Sequence, residues 1–210
     1  MILRSYTAWV VPVALTLASF GTDGAKAIAQ TNYPFEATYN AEITNKPTSL
    51  PNVFQTTVTG ESPDAPYGLT NLTINNYSTV DFNTGQATYD SDPAKFGLEG
   101  VPFGTLTLSD SDDKLFGTNS GTASLEAGSG TINITGGEGR FVGASGSLNL
   151  SQIITSNPDP TGVNAPIISP ATISGSIQAV PEPRANATLI GIGAIATGFL
   201  LRRHRQRSIV

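Results

Sequence analysis

Three short segments constrain the fold more than anything else in the chain. Thr105-Leu106-Thr107-Leu108, Thr131-Ile132-Asn133-Ile134-Thr135 and Ser147-Leu148-Asn149-Leu150-Ser151 each alternate an apolar residue with a small polar one. Successive side chains of a strand point to opposite faces, so a strict period of two buries one face and wets the other. Weaker versions of the pattern cover Phe35 to Thr44, Val53 to Thr59, Leu69 to Val80 and Thr172 to Ala179. No window carries the 3.6-residue apolar stripe of an amphipathic helix. Clusters of Asn, Gly, Asp and Pro break the strands at the spacing found in sandwiches and barrels. The pattern predicts an all-β domain over residues 30–179, either an antiparallel β-barrel or a β-sandwich. About 150 residues of such strands bury about 68–70% of their unfolded surface, enough for one core.

This domain is polar but carries few charges, and those few are mostly acidic. Residues 30–180 hold 14 Asp and Glu against Lys46, Lys95, Lys114 and Arg140, a net of −10. Such a surface repels phosphate backbones, which excludes nucleic acid as the expected partner. The chain has no Cys, so no disulfide, thiol nucleophile or Cys-based zinc site can form. Its one His, His204, lies in the basic C-terminal tail, so the domain cannot assemble a Ser-His-Asp triad or a His-ligated metal site. The sequence therefore assigns no catalytic residue, no metal and no cofactor, and the domain reads as non-enzymatic.

Carboxylate-pair hydrolysis needs only two acids across a cleft. The candidates Asp81, Asp90, Asp92, Glu99, Asp110, Asp112 and Asp113 lie mostly among Gly, Pro and Ser, and read as solvated loops. Ser109-Asp110-Ser111-Asp112-Asp113-Lys114 resembles a calcium loop at first sight but fails the EF-hand spacing. Tyr67, Tyr77, Phe82, Tyr89, Phe96 and Phe103 are either a ligand-lining set or cross-strand packing, the commoner use of aromatics at this density.

Both ends read as addresses. Residues 1–29 carry Arg4, an apolar run from Ala8 to Phe20, and the small-x-small site Ala27-Ile28-Ala29. This is the layout of a secretory signal peptide, with cleavage expected after Ala29. At the other end, residues 185–201 are free of charge, and 17 residues span about 25 Å as a helix, close to a hydrocarbon core of about 30 Å. The basic tail 202–210 follows, with Arg202, Arg203, Arg205 and Arg207. Positive residues beside a span stay cytoplasmic, so the β domain is expected outside, anchored by one C-terminal span.

Val180-Pro181-Glu182-Pro183, the Gly/Ala-rich run and the Arg cluster together resemble the PEP-CTERM sorting signal of bacterial exported proteins, which here spans 180–210 with its motif at 180–183. The resemblance implies recognition of Pro181, Glu182 and Pro183, with Arg202 and Arg203 as part of the signal. The reader would be an exosortase, a membrane-embedded cysteine transpeptidase that removes the tail and passes the body to the envelope or the exopolysaccharide matrix. Pro lacks a backbone donor and biases its predecessor to extended geometry, so Pro-Glu-Pro is a stiff, unpaired strand that an enzyme can grip without unfolding anything.

A second resemblance is local. Gly136-Gly137-Glu138-Gly139-Arg140-Phe141-Val142-Gly143-Ala144-Ser145-Gly146 is similar to the Gly-rich hairpin of the allene oxide cyclase and dirigent families, with Glu138 where those commonly have Thr. It implies an eight-stranded barrel with a central cavity, lined near this hairpin. By its residues alone the segment reads as a tight turn, with Arg140-Phe141 opening the next strand and Gly143 and Gly146 allowing close approach or a bulge.

Overall fold

The alternating segments become long antiparallel strands in the computed structural model, which describes residues 30–180. They are β1 (Thr31–Pro47), β2 (Val53–Glu61), β3 (Asn71–Asp81), β4 (Gln86–Asp90), β5 (Thr105–Ser109), β6 (Lys114–Ala123), β7 (Ala127–Glu138), β8 (Ser145–Ile153), β9 (Ile167–Ile168) and β10 (Ala171–Ala179). Among the described residues helix occurs only as 3₁₀ turns at Pro66–Gly68, Pro93–Phe96 and Gly139–Phe141. The expected signal peptide, with Ala27 and Ala29, lies outside the described residues. So do Pro181, Glu182, Pro183, the expected span 185–201, Arg202 and Arg203.

All ten strands join one sheet, and its ladder closes. The closure runs through β1: Thr31 to Tyr39 pair with β10, while Asn40 to Pro47 pair with β2. This offset between the two neighbours of one strand is the stagger that closing a sheet demands. β4 and β5 share one position in the ring, pairing with opposite ends of both β3 and β6. The staves are therefore β1, β2, β3, β4 with β5, β6, β7, β8 and β10.

Three strands had no clear signature, one of them β9, which is only two residues long. In β6 the inward positions are Leu115, Gly117, Asn119, Gly121 and Ala123; all but Leu115 are small or polar, so the strand shows no apolar alternation. β4 is only five residues long. The loop 91–104 between β4 and β5 folds over the outside of the barrel, where Leu98 packs on Val53 and Tyr77 and the Tyr77 hydroxyl donates to the Pro102 carbonyl at 2.8 Å.

The interior is not uniform along the barrel axis. Toward one end it is filled by Phe35, Leu72, Leu106, Leu108, Leu115, Ile132, Leu148, Ile173 and Ile177, each 2% exposed or less, and each such side chain contributes about 1.5–3 kcal/mol. Toward the other end the inward positions turn polar: β3 passes from Leu72 and Ile74 to Asn76 and Ser78, and β8 from Leu148 and Leu150 to Gln152. Most outward positions are Thr, Ser and Asn.

The same architecture sets the response to pH. Asp81, Asp110 and Asp159 each cap their own turn and hold their carboxyls below the usual range. The hydrogen bonds responsible come first from the Asn83 N–H, the Asp113 N–H and the Thr161 hydroxyl respectively. The unfolded chain then binds more protons in acid, so their contribution is present above pH of about 4 and is lost as pH falls through the lowered folded values. Burial raises the Tyr39 and Tyr89 phenols, the latter to about 12. The unfolded phenols ionise first, so stability falls as pH rises past about 10. A plot of denaturant midpoint against pH is expected to be flat between about pH 5 and 9 and to fall on both sides. Asp159→Asn should flatten part of the acid limb and Tyr89→Phe part of the alkaline one.

Candidate functional site

The polar half of the barrel does not fill. It leaves a cavity of about 110 Å³, open to solvent over part of its boundary, at the end where β3 turns into β4 and β6 into β7. Ile43, Val58, Ile74, Val80, Ala87 and Leu150 supply apolar wall. Polar groups come from Asn45, Thr56, Asn76, Ser78, Asn119 and Gln152, with Tyr89 as the one titratable lining group. Ile154, Asn157, Pro160 and Ile167 close over from the segment between β8 and β10, and Leu125 of the β6–β7 turn lies beside Gly85 at the rim.

Most of these polar groups satisfy one another. The Thr56 hydroxyl donates to Asn45 Oδ1 at 2.7 Å and lies 2.8 Å from the Ser78 hydroxyl. Asn45 Nδ2 donates to the Thr161 carbonyl at 2.8 Å, which ties the covering loop to β1. Asn119 Oδ1 accepts from Asn76 Nδ2 and from the Ser91 hydroxyl, both at 3.2 Å, while Ser91 Oγ accepts the Asn119 N–H at 2.9 Å. Asn76, only 3% exposed, is thereby turned with its amide nitrogen toward Asn119, and its Oδ1 has no partner. Asn157 Oδ1 is also unpartnered. Burying an acceptor unpaired costs about 1–3 kcal/mol, which gives Asn76 a standing demand for a donor.

Tyr89 crosses the wall between β6 and β7. Its hydroxyl donates to the Ser129 carbonyl at 3.1 Å, and its ring stands against Gly121 and Gly130. No carboxylate, amine, guanidinium or imidazole lines the cavity. The arrangement can recognise shape and one or two hydrogen bonds, and it offers no group that titrates near neutrality.

The Gly-rich hairpin lies at the opposite end, which corrects the expectation that it lines the cavity. Gly136 and Gly137 belong to β7, and the strand bulges where Ile134 faces Gly117 but Gly136 faces Phe116. Gly139 has φ +63, and a side chain there would run into the Asp113 carboxylate. Arg140 and Phe141 do not open β8, which starts only at Ser145 after Gly143; they form a 3₁₀ turn instead. The turn drives Phe141 into the barrel with no exposed surface. It meets Tyr33 edge-on at 5.4 Å and Tyr67 at 6.1 Å. Outside, Arg140 Nε donates to Asp113 Oδ2 at 2.5 Å and the Arg140 N–H to Asp113 Oδ1 at 2.7 Å. Gly146 enters the β8 ladder opposite Ile177. This hairpin is a plug.

The remaining candidates disperse. Tyr67 joins the plug, Tyr77 and Phe96 pack under the outer loop, Phe82 meets Phe54 edge-on at 6.5 Å, and Phe103 is 60% exposed. Only Tyr89 of the six aromatics reaches the cavity. Asp110 accepts the N–H groups of Asp112 and Asp113 in its own turn, Asp90 pairs with Lys95 at 2.5 Å, and none of the acidic candidates lines the cavity. Among the described residues no group of three or more potential ligands stands ready for a metal ion, and no helix is long and apolar enough to cross a membrane. Asn76 was the residue the sequence concealed, since within the strand segment Leu69 to Val80 nothing marks it apart from its polar neighbours. The available signal was the change of the β3 inward set from Leu72 and Ile74 to Asn76 and Ser78. Comparison of the chain with family models, with curated proteins and with solved structures gives no match.

Proposed function

We propose that the protein is an exported, non-enzymatic β-barrel. A sorting enzyme of exosortase type would take it at Pro181-Glu182-Pro183 and pass it to the cell envelope or exopolysaccharide matrix. The observation that carries this reading is the order of three signals over residues 180–210: Pro-Glu-Pro, an uncharged run of membrane length, and a terminal arginine cluster. The run 185–201 holds the barrel outside the cytoplasm until the tail is removed. The character of the barrel's surface supports a matrix destination. Three of its four basic side chains, Lys95, Lys114 and Arg140, are engaged in ion pairs. Thr38, Thr172, Ser151, Ser129 and Thr122 succeed one another across β1, β10, β8, β7 and β6. Rows of uncharged hydroxyls suit hydrogen bonding to a polysaccharide, with neighbouring strands about 4.8 Å apart.

The test is the intact mass of the protein recovered from outside the cell. The expected chain begins at Gln30 and lacks the residues beyond the Pro-Glu-Pro region, and replacing Pro181 and Pro183 with Ala should leave the tail attached. A mass that retains Arg202 to Val210 would make the segment a plain anchor. An intact chain confined to the cytosol would overturn export altogether.

A second reading has its own observation. The closed ring of staves and the cavity with its unpartnered Asn76 favour a small-molecule-binding barrel of the allene oxide cyclase/dirigent-like type. The two readings are compatible: one concerns where the barrel goes, the other what it holds.

A further inference from the structure

We propose that the cavity binds a small, uncharged, mostly apolar molecule that carries a hydrogen-bond donor, and that this donor is received by Asn76 Oδ1. The inference rests on the reading of the barrel as a binding protein and adds the chemistry of the ligand.

Size sets the first limit. A space of about 110 Å³ is of the order of the 150 Å³ cavity that admits benzene, so a ligand of about six heavy atoms fits. The lining sets the second. Ile43, Val58, Ile74, Val80 and Leu150 present hydrocarbon, and no charged side chain lines the space. A charged ligand would lose its hydration with nothing to compensate it, so the occupant is neutral. Hydrogen bonding sets the third. Asn45, Thr56 and Ser78 are occupied with one another, whereas the Asn76 and Asn157 amide oxygens are unpartnered. Both are acceptors. A hydroxyl or N–H on the ligand would remove the cost of the buried Asn76 oxygen, which a carbonyl or ether cannot do. Tyr89 does not compete for the oxygen, because its proton is directed to Ser129.

Cyclopentanol and cyclopentanone share a shape and differ in whether they can donate. The experiment titrates each into the full chain in lipid nanodiscs and follows the methyl resonances of Ile43, Ile74 and Leu150, with empty nanodiscs correcting for partition into lipid. The expected result is saturable shifts with cyclopentanol at a Kd on the order of 1 mM, and binding of cyclopentanone weaker by about five-fold or more, the worth of one hydrogen bond. Asn76→Leu should equalise the two probes. Ala87→Leu fills the space from β4, the strand beside β3, and should abolish both titrations while leaving other resonances in place, which keeps the test decisive should Asn76→Leu fail to fold. Equal affinity for alcohol and ketone would overturn the donor assignment and leave the binding reading standing. Absence of saturable shifts with either probe would overturn both, as would shifts that survive Ala87→Leu.

Discussion

Replacing Phe141 with Ala is expected to cost about 3–5 kcal/mol, the usual range for deleting a buried aromatic ring. For a domain whose whole stability is about 5–15 kcal/mol, that moves the denaturant midpoint by about a fifth of its value or more. The reason is positional. Phe141 has no exposed surface and closes the filled end of the barrel against Tyr33 and Tyr67. Without its ring the strand ends around it lose their shared contact, and the space left is flanked by side chains that the backbone ring holds apart. Phe103→Ala is the natural comparison, because that ring is 60% exposed and its loss should fall within about 0.5 kcal/mol. Arg140→Ala should cost about 1–3 kcal/mol, since Asp113 is largely buried and loses its cation while keeping the hydrogen bond from the residue 140 N–H. Equal midpoints for Phe141→Ala and Phe103→Ala would show that the hairpin is not a plug.

The second large effect is expected at Gly130, where Ala should destabilise by about 1–3 kcal/mol through overpacking. A Cβ there would collide with the Tyr89 hydroxyl and with the backbone carbonyl of Ser120. The tyrosine could swing away, but the carbonyl belongs to the neighbouring strand and cannot, so β6 and β7 must separate or twist. Gly121→Ala meets the same tyrosine and the Ser129 carbonyl, and should behave alike. Gly136→Ala serves as the control, because nothing lies within 4 Å of its added methyl and a strand residue with a side chain is favoured over Gly by about 0.5–1 kcal/mol. Thermal or chemical denaturation of the three variants separates the cases. If Gly130→Ala were as stable as Gly136→Ala, Tyr89 would not be packed between the two glycines, and the cavity wall would need redrawing.

The legibility of this chain follows from the range of its interactions. β1, β2, β3, β5, β7, β8 and β10 were visible because each alternates apolar with polar residues, a property of single strands. β6 was not, because its inward positions hold Gly117, Asn119 and Gly121, and the two glycines leave room for the backbone of the neighbouring β7 and, at Gly121, the Tyr89 ring rather than adding to an apolar face. The hairpin shows the same division. Its glycines signalled a turn, yet nothing local indicates that Arg140-Phe141 would coil inward as a plug instead of starting β8. That outcome depends on Asp113, 27 residues away in the chain, receiving both the Arg140 backbone and its side chain. Asn76 was hidden by the same logic: an amide in a strand is exposed or buried according to register, which partner strands settle.

By itself, then, the sequence determined an all-β domain over residues 30–179, the pairing faces of most strands, and an interior free of thiol and imidazole. Only the tertiary structure decided that the ladder closes, that β1 divides its pairing between β10 and β2, and which end is filled and which left open. The physical reason is that periodicity is written in neighbouring residues, whereas closure and a cavity arise from stagger and from volumes matched across strands far apart in the chain.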